Sequence, residues 1–287
     1  MKRVSVIDSP ELAERWRVLL DIDRGLARAY GQETLGWLNA EAYVTDSGRT
    51  VDLSSLIASC PEGTIEYPPD RELPTVDLQA PREARIEVSN ETSLSAALRL
   101  TTAGERPLVL NMANGVSPGG GWLKGSRAQE EYLCRSSALW VTIKDSPMYA
   151  AHAASGHYES SDWVIISPDV PVFRDDTGVP LEEPWTVSFI TCAAPVASRA
   201  GAERSATLLR DRINRILKIA ASEGYTSLVL GAWGCGAFGN DPRATAKSFR
   251  EAIDGPFANA FDTIIFAITD WSAERQFLGP FADAFQE

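Results

Sequence analysis

Histidine is scarce in this chain: only His152 and His157 occur in 287 residues, beside four scattered cysteines, Cys60, Cys134, Cys192 and Cys235. No two cysteines form a C-x-x-C pair, so a structural zinc site is not expected, and buried reduced thiols are the simpler reading. Neither a metal nor a cofactor is expected. No apolar run is long enough to cross a bilayer. The N-terminal stretch, MKRVSVIDSPELAERW, turns acidic and amphipathic too early for a secretory signal, so the mature chain is expected to begin here and stay in the cytoplasm. An excess of cations is missing too, since 27 Lys and Arg face 39 Asp and Glu for a formal net charge of −12. That argues against a broad nucleic-acid-binding surface, which needs clustered basic residues to neutralise phosphates. A small phosphate-bearing ligand stays compatible, because backbone N–H groups and helix N-termini supply positive charge locally.

What is present reads as a globular α/β protein: 44% hydrophobic and 23% charged residues, enough length for one large domain or a domain with an extension, and no repeat or low-complexity segment. A first helix is predicted from Pro10 to Tyr30. Ser9 caps it, Pro10 suits its first turn, Gly31 stops it, and Leu12, Trp16, Leu19, Leu20, Asp23, Leu26 and Tyr30 share one face. Thr45 to Arg82 is irregular and rich in Pro, Asp and Glu, which predicts a long surface connection.

Strands and helices then alternate. Short apolar runs predict strands at Arg85 to Val88, Pro107 to Met112, Trp163 to Ile166, Thr186 to Thr191, Ser227 to Ala232 and Thr263 to Ile268. Between them, helices are predicted at Thr92 to Thr102, Gln129 to Lys144, Arg204 to Glu223 and Pro242 to Ile253, with a last one after Ser272. This order implies a parallel or mixed sheet flanked by helices. His152 and His157 fall in a polar stretch, DSPMYAAHAASGHYESSD, expected to be a mobile surface loop, with a substrate-covering role as the alternative.

Two glycine-rich loops carry the chemistry. In the first, Gly119, Gly120 and Gly121 separate a strand from a helix that opens with Gln129, Glu130 and Glu131. Glycine admits positive φ and close approach of backbone to ligand, and strand C-terminal ends are where open α/β sheets bind ligands. A merely flexible turn is the alternative. In the second, Gly231, Gly234, Gly236 and Gly239 precede a helix capped by Asp241 and begun by Pro242. Residues 234 to 239 fit G-x-G-x-x-G, which keeps an NAD-dependent oxidoreductase in view, although one such match is weak. Either way, strand, glycine loop and helix N-terminus suit a pyrophosphate.

Paired acids at a helix start can simply complement the helix dipole. Close behind a glycine triplet, they also suit glycoside cleavage, which wants a proton for the leaving oxygen and a second carboxyl nearby. Two neighbouring acids push one pKa upward, keeping that proton available.

At these residues the sequence resembles the bacterial, microbial-type poly(ADP-ribose) glycohydrolases, whose signature is a GGG triplet followed several residues later by QEE. The loop LGAWGCGAFGNDP resembles the family's second glycine loop, and the likeness runs from about the first helix to the last strand. One departure is Ser117-Pro118, where Asn-Pro is frequent. The resemblance implies a macrodomain-like three-layer α/β/α sandwich with a mixed central sheet, residues 83–287 forming the ADP-ribose-binding catalytic core and residues 1–82 an N-terminal helical extension packed on it. It implies poly(ADP-ribose) or an ADP-ribosylated macromolecule as substrate, ADP-ribose as product, and no metal.

By position, Glu131 would protonate the departing ribose 2′ oxygen and then activate water, while Glu130 would orient the reacting ribose. Gly119, Gly120 and Gly121 would meet that ribose and the pyrophosphate. Gly234, Gly236, Ala237, Phe238 and Gly239 would wrap the pyrophosphate from the other side, with Phe238 either against the ribose or in the core. Gln129 completes the ligand-binding set. Asn114 would face the distal ribose, or simply form a turn. Glu91 would meet the adenine amino group, or belong to a helix cap. A mono-ADP-ribosyl hydrolase and a non-catalytic ADP-ribose reader remain alternatives.

Overall fold

A computed structural model of the chain describes residues 3–75, 84–156 and 159–286; His157 and the expected boundary at residues 82 and 83 lie outside them. In chain order the elements are β1 (Arg3–Ile7), α1 (Pro10–Leu20), α2 (Arg24–Ala40), β2 (Ala42–Val44), β3 (Thr50–Asp52), α3 (Ser54–Gly63), β4 (Ile65–Tyr67), β5 (Arg85–Ser89), α4 (Ser93–Thr102) and β6 (Pro107–Ala113). They continue with α5 (Gln129–Ser136), α6 (Leu139–Ile143), α7 (Pro147–Ser155), β7 (Val164–Arg174), β8 (Pro180–Ala193), α8 (Ala197–Ala200), α9 (Ala202–Ser222), β9 (Ser227–Leu230), α10 (Pro242–Asp254), β10 (Thr263–Ala267) and α11 (Leu278–Gln286).

Eight of the described strands form one mixed sheet in the order β1-β5-β10-β9-β6-β8-β7-β4. Neighbours from β1 to β8 are parallel, while β7 runs antiparallel to both β8 and β4. The central strands are buried on both faces, as the short apolar runs require. Alternation along each strand sends Leu108, Leu110, Leu228, Leu230, Ile264 and Phe266 into one core with α9, α10 and α11. It sends Val109, Val229 and Ile265 into the other, with α4, α5, α6 and α7. The result is the three-layer sandwich that the resemblance implies, with the mixed, helix-flanked sheet expected from the strand and helix alternation. Among the described residues, no helix is long and apolar enough to cross a membrane.

Several boundaries differ from expectation for local reasons. The single helix foreseen over Pro10 to Tyr30 is two, because Asp23 leaves the helical register and caps α2, accepting from Gly25 N at 2.6 Å and Leu26 N at 3.0 Å. Aspartate gains more at an N-cap than on an apolar stripe. Gly31 does not stop a helix but lies inside α2, where a Cβ would fall 2.6 Å from the Trp122 carbonyl. The helix foreseen over Gln129 to Lys144 breaks at Ser137, which bridges to Val172 while Ala138 N donates to Pro171 O at 2.9 Å. The edge of β7 past its pairing with β4 takes these backbone groups.

The N-terminal portion is not only helical. Residues 3–7 pair with β5 and residues 65–67 pair with β7, so two of the sheet's strands come from the first 82 residues. The stretch foreseen as a surface connection contains β3, α3 and β4.

Candidate active site

Both glycine-rich loops leave the C-terminal ends of strands, β6 and β9, on one side of the sheet. A cleft of about 370 Å³ lies there, lined by Glu91 and Thr92 after β5, Met112 in β6, Ala194 after β8, Gly234 and Gly236 to Phe238 after β9, and Ile268, Thr269 and Trp271 after β10. Helix α5 forms one wall with Gln129, Tyr132, Arg135 and Ser136, and the β7–β8 turn reaches over with Asp175 to Gly178. This is the location expected for a ligand of an open α/β sheet.

The start of α5 clamps the first glycine loop. β6 outlasts β9, whose pairing stops at Val109, and Gln129 takes over the exposed edge: its Oε1 accepts from Met112 N at 3.0 Å and its Nε2 donates to Leu110 O at 2.7 Å. Glu130 Oε2 accepts from Asn114 N at 2.7 Å and its Oε1 from Gly119 N at 3.2 Å. Glu131 Oε1 accepts from Gly121 N at 2.9 Å. Three consecutive side chains thereby satisfy four backbone donors, one at the end of β6 and three in the loop after it.

The glycines are required by this contact. Gly119 and Gly120 have φ of 75° and 60°. A Cβ on Gly120 would overlap Glu131 Oε1 and sit 3.1 Å from Glu130 Oε2, and one on Gly119 would sit 2.8 Å from the Trp122 ring and 3.1 Å from Cys134 Sγ. The triplet therefore lies directly on the two carboxyl groups and is not a loose turn.

The two acids differ. Glu130 is 3% exposed, and burial pushes its carboxyl up to about 8, more strongly than the Glu131 charge does and against the opposing pull of the Asn114 and Gly119 N–H donors. Removal of water outweighs two neutral donors at a site this enclosed. Glu131 is 8% exposed, and its Oε2 is buried without a hydrogen-bond partner. An unpaired buried carboxylate oxygen costs about 1–3 kcal/mol or more, a cost that a ligand hydroxyl would relieve.

The second loop is held by its own asparagine. Gly234 has φ of 75° and a Cβ there would meet Asn240 Nδ2 at 2.6 Å and Ala194 at 2.9 Å, whereas Gly236 faces open space. Asn240 donates to Pro195 O at 2.9 Å and Gly234 O at 3.1 Å. Phe238 is half-buried, packs against the sheet core and also lines the cleft. Asp241 caps α10 through Arg243 N at 2.9 Å.

Other expected residues fall as follows. Asn114 Oδ1 accepts from Val116 N and Ser117 N, both at 2.9 Å, the turn-forming alternative. Glu91 lines the cleft, but Arg99 holds its Oε1 at 2.6 Å. His152 does not lie in a mobile loop: it is on α7, 3% exposed. Ser161 N donates to its Nε2 at 3.0 Å, so the proton sits on Nδ1, which donates to Gly115 O at 2.8 Å. Burial and the Arg212 charge push its pKa down despite the Gly115 carbonyl; a neutral ring tethers the far end of the first glycine loop.

Sequence reasoning missed three cleft residues. Arg135, one turn after Glu131, is 5% exposed and donates to Ser126 O at 2.6 Å. Tyr132 donates to Asp176, and Thr92 Oγ1 donates to the same carboxylate at 3.0 Å. Tyr132 and Arg135 were legible as the helical neighbours of Gln129 at three-residue steps, but the Asp-Asp-Thr-Gly stretch holding Asp176 carries no motif beyond turn-forming residue types.

Fold and site together define an α/β protein with a strand-end cleft whose α5 wall begins with two carboxyl groups clamped against a glycine loop; Gln129 lines the cleft, whereas Asn114, Gly119 to Gly121, Glu130, Glu131 and Gly239 are not among its lining residues. Residues 31–175 match the family described as microbial-type PARG, catalytic domain, and the chain belongs to that family. It is 40% identical to poly(ADP-ribose) glycohydrolase from Thermomonospora curvata, covering 91% of this chain and 100% of that one with a TM-score of 0.85. A structure of the Thermomonospora curvata enzyme bound to the inhibitor ADP-HPD matches with 40% identity, 90% and 99% coverage and a TM-score of 0.83. The Deinococcus radiodurans enzyme in complex with ADP-ribose is 35% identical over 80% of this chain and 96% of that one, with a TM-score of 0.73. No curated protein matches the chain.

Proposed function

We propose that this chain hydrolyses the ribose–ribose O-glycosidic bonds of poly(ADP-ribose), releasing ADP-ribose from chain ends. The observation that carries this reading is Glu131: one carboxyl oxygen is fixed by Gly121 N–H, and the other is buried, unpartnered and beside the glycine triplet. Glycoside hydrolysis asks for a group that first protonates the leaving oxygen and then takes a proton from water. Glu131 Oε2 is the atom assigned to both steps, giving its proton to the departing ribose 2′ oxygen and later removing one from the attacking water.

Glu130 keeps the loop in place and orients the reacting ribose through its remaining lone pairs. Gly119 to Gly121 face that ribose on one side, and Gly234, Gly236, Ala237, Phe238 and Gly239 enclose the pyrophosphate on the other. The relatives in complex with ADP-ribose support the ligand. The reaction is assigned to the cytoplasm, in keeping with four buried free thiols. Residues 83–287 are assigned as carrying the catalytic and binding residues, with the segment before them contributing β1 and β4 to the same sheet.

Glu131→Gln is expected to retain ADP-ribose binding, measured by calorimetry, and to lose ADP-ribose release from labelled polymer. Undiminished release by the variant defeats the assignment. Polymer left intact by the unaltered protein at high concentration would make it a reader, and release only from singly modified protein would make it a mono-ADP-ribosyl hydrolase.

A further inference from the structure

Three carboxyl groups line the cleft, those of Glu91, Asp175 and Asp176, and Asp176 is held without an ion pair among the described residues. Asp176, on the turn between β7 and β8, lines the cleft together with Thr92 and Tyr132. Its carboxylate accepts from the Tyr132 hydroxyl and, at 3.1 and 3.0 Å, from Thr92 Oγ1. Both donors are neutral, and among the described residues no Lys or Arg forms an ion pair with Asp176. Glu91, one residue before Thr92, contrasts with it: Arg99 pairs with both Glu91 and Glu87.

The position of this acid along the cleft follows from strand order. Thr92 follows β5, and β5 is separated from β9 by β10 and from β6 by β10 and β9. Strands lie roughly 4.8 Å apart, so the end of β5 is about 10 Å from the loop after β9 and about 15 Å from the glycine triplet after β6. A diphosphate ligand whose ribose reaches Glu131 and whose pyrophosphate meets residues 234–239 puts its nucleoside at the β5 end. Burial raises the Asp176 carboxyl, and the two hydroxyl donors and the Arg15 charge act against that rise, which marks a site that gains from another donor.

We infer that Asp176 is a specificity-determining residue that accepts a hydrogen bond from an N–H or O–H donor of the bound nucleoside. This rests on the proposed ADP-ribose chemistry of the cleft. Tyr132 and Thr92 hold the carboxylate in place from α5 and from the cap of α4, so the turn reads the ligand from a fixed geometry. The donor is either the amino group of the base or the 2′-hydroxyl of its ribose.

The test is calorimetric titration of the full chain and of Asp176→Asn with three ligands: ADP-ribose, its hypoxanthine analogue lacking the amino group, and its 2′-deoxyadenosine analogue. Loss of a hydrogen bond to a charged group predicts roughly 10- to 100-fold weaker binding of ADP-ribose by the variant. With the analogue that lacks the recognised donor, variant and unaltered protein should bind alike; which analogue behaves so identifies the donor. Equal binding of ADP-ribose by both proteins, or the same fold-loss with all three ligands, overturns the inference, the latter because it marks a latch that only closes the turn. Failure of the unaltered protein to bind ADP-ribose would instead defeat the functional reading. Asp176→Ser, which removes the carboxylate at smaller volume, repeats the comparison if the asparagine variant does not fold.

Discussion

Gly120→Ala isolates the contact between the glycine triplet and the acids. At φ of 60°, alanine costs about 1–2 kcal/mol in backbone energy. That much also applies to Gly104→Ala, where φ is 83° and a Cβ meets nothing within 4 Å. At Gly120 the new methyl overlaps Glu131 Oε1 as well, so the carboxyl must move by about an ångström and give up its bond to Gly121 N–H. A misplacement of that size costs about 10²-fold in rate. Initial rates of ADP-ribose release from polymer, with thermal unfolding in parallel, check the reasoning. Both variants should lose a few degrees in Tm, but only Gly120→Ala should lose about two orders of magnitude in kcat. If its rate stays within about threefold of the Gly104→Ala rate, the carboxyl is not held where the glycines place it.

Glu130 makes stability depend on pH. Its folded value near 8 against an ordinary 4.5 means that the folded state keeps a proton the unfolded chain has lost, so stability falls as pH rises between those values, by about 1.4 kcal/mol per unit at most. Glu130→Gln lacks this slope but sets an NH₂ against backbone donors, costing about 1–3 kcal/mol. Denaturant unfolding should therefore find it less stable than the unaltered protein at pH 5.5, with the gap narrowing by up to about 3 kcal/mol toward pH 8; a constant gap refutes the burial argument. Gly31→Ala should destabilise despite alanine's better helix propensity, because its Cβ would lie 2.6 Å from Trp122 O and overpacking costs about 1–3 kcal/mol; a higher Tm would contradict that contact.

The sheet was legible where strands are buried on both faces, since Leu108 to Leu110 and Ile264 to Phe266 are continuous apolar runs. It was illegible at its rims. β1 is mostly exposed, so its alternation carried little weight next to the helix that follows. β7 and β8 run far past their predicted ends because prolines at 168, 171, 180 and 184 and charges at 169, 182 and 183 mask them, and a register shift between Ser167 and Val170 interrupts the ladder. In the site, both glycine loops and the acids were visible as local patterns. Asp176, Tyr132 and Thr92 meet only across three elements, and His152 reads as a loop residue because no local pattern reveals that its ring ties Gly115 to Ser161.

The spacing between the triplet and the acids has one physical cause. Three glycines in a row lose more conformational entropy on ordering than any other residues, so a triplet alone would make a poor rigid surface for a ligand. Here the chain turns back at once: Lys124 N and Ser126 N both donate to Gly121 O, at 2.8 and 3.1 Å, and Arg135 holds Ser126 O from the helix. That turn brings the start of α5 against the loop it has just left, where Gln129, Glu130 and Glu131 take up Met112, Asn114, Gly119 and Gly121 N–H. Shortening the turn would pull the acids off the loop, and lengthening it would let the helix drift. The freedom that three glycines bring and the clamp that removes that freedom are therefore parts of one device, and the carboxyl oxygen it leaves unpaired is Glu131 Oε2.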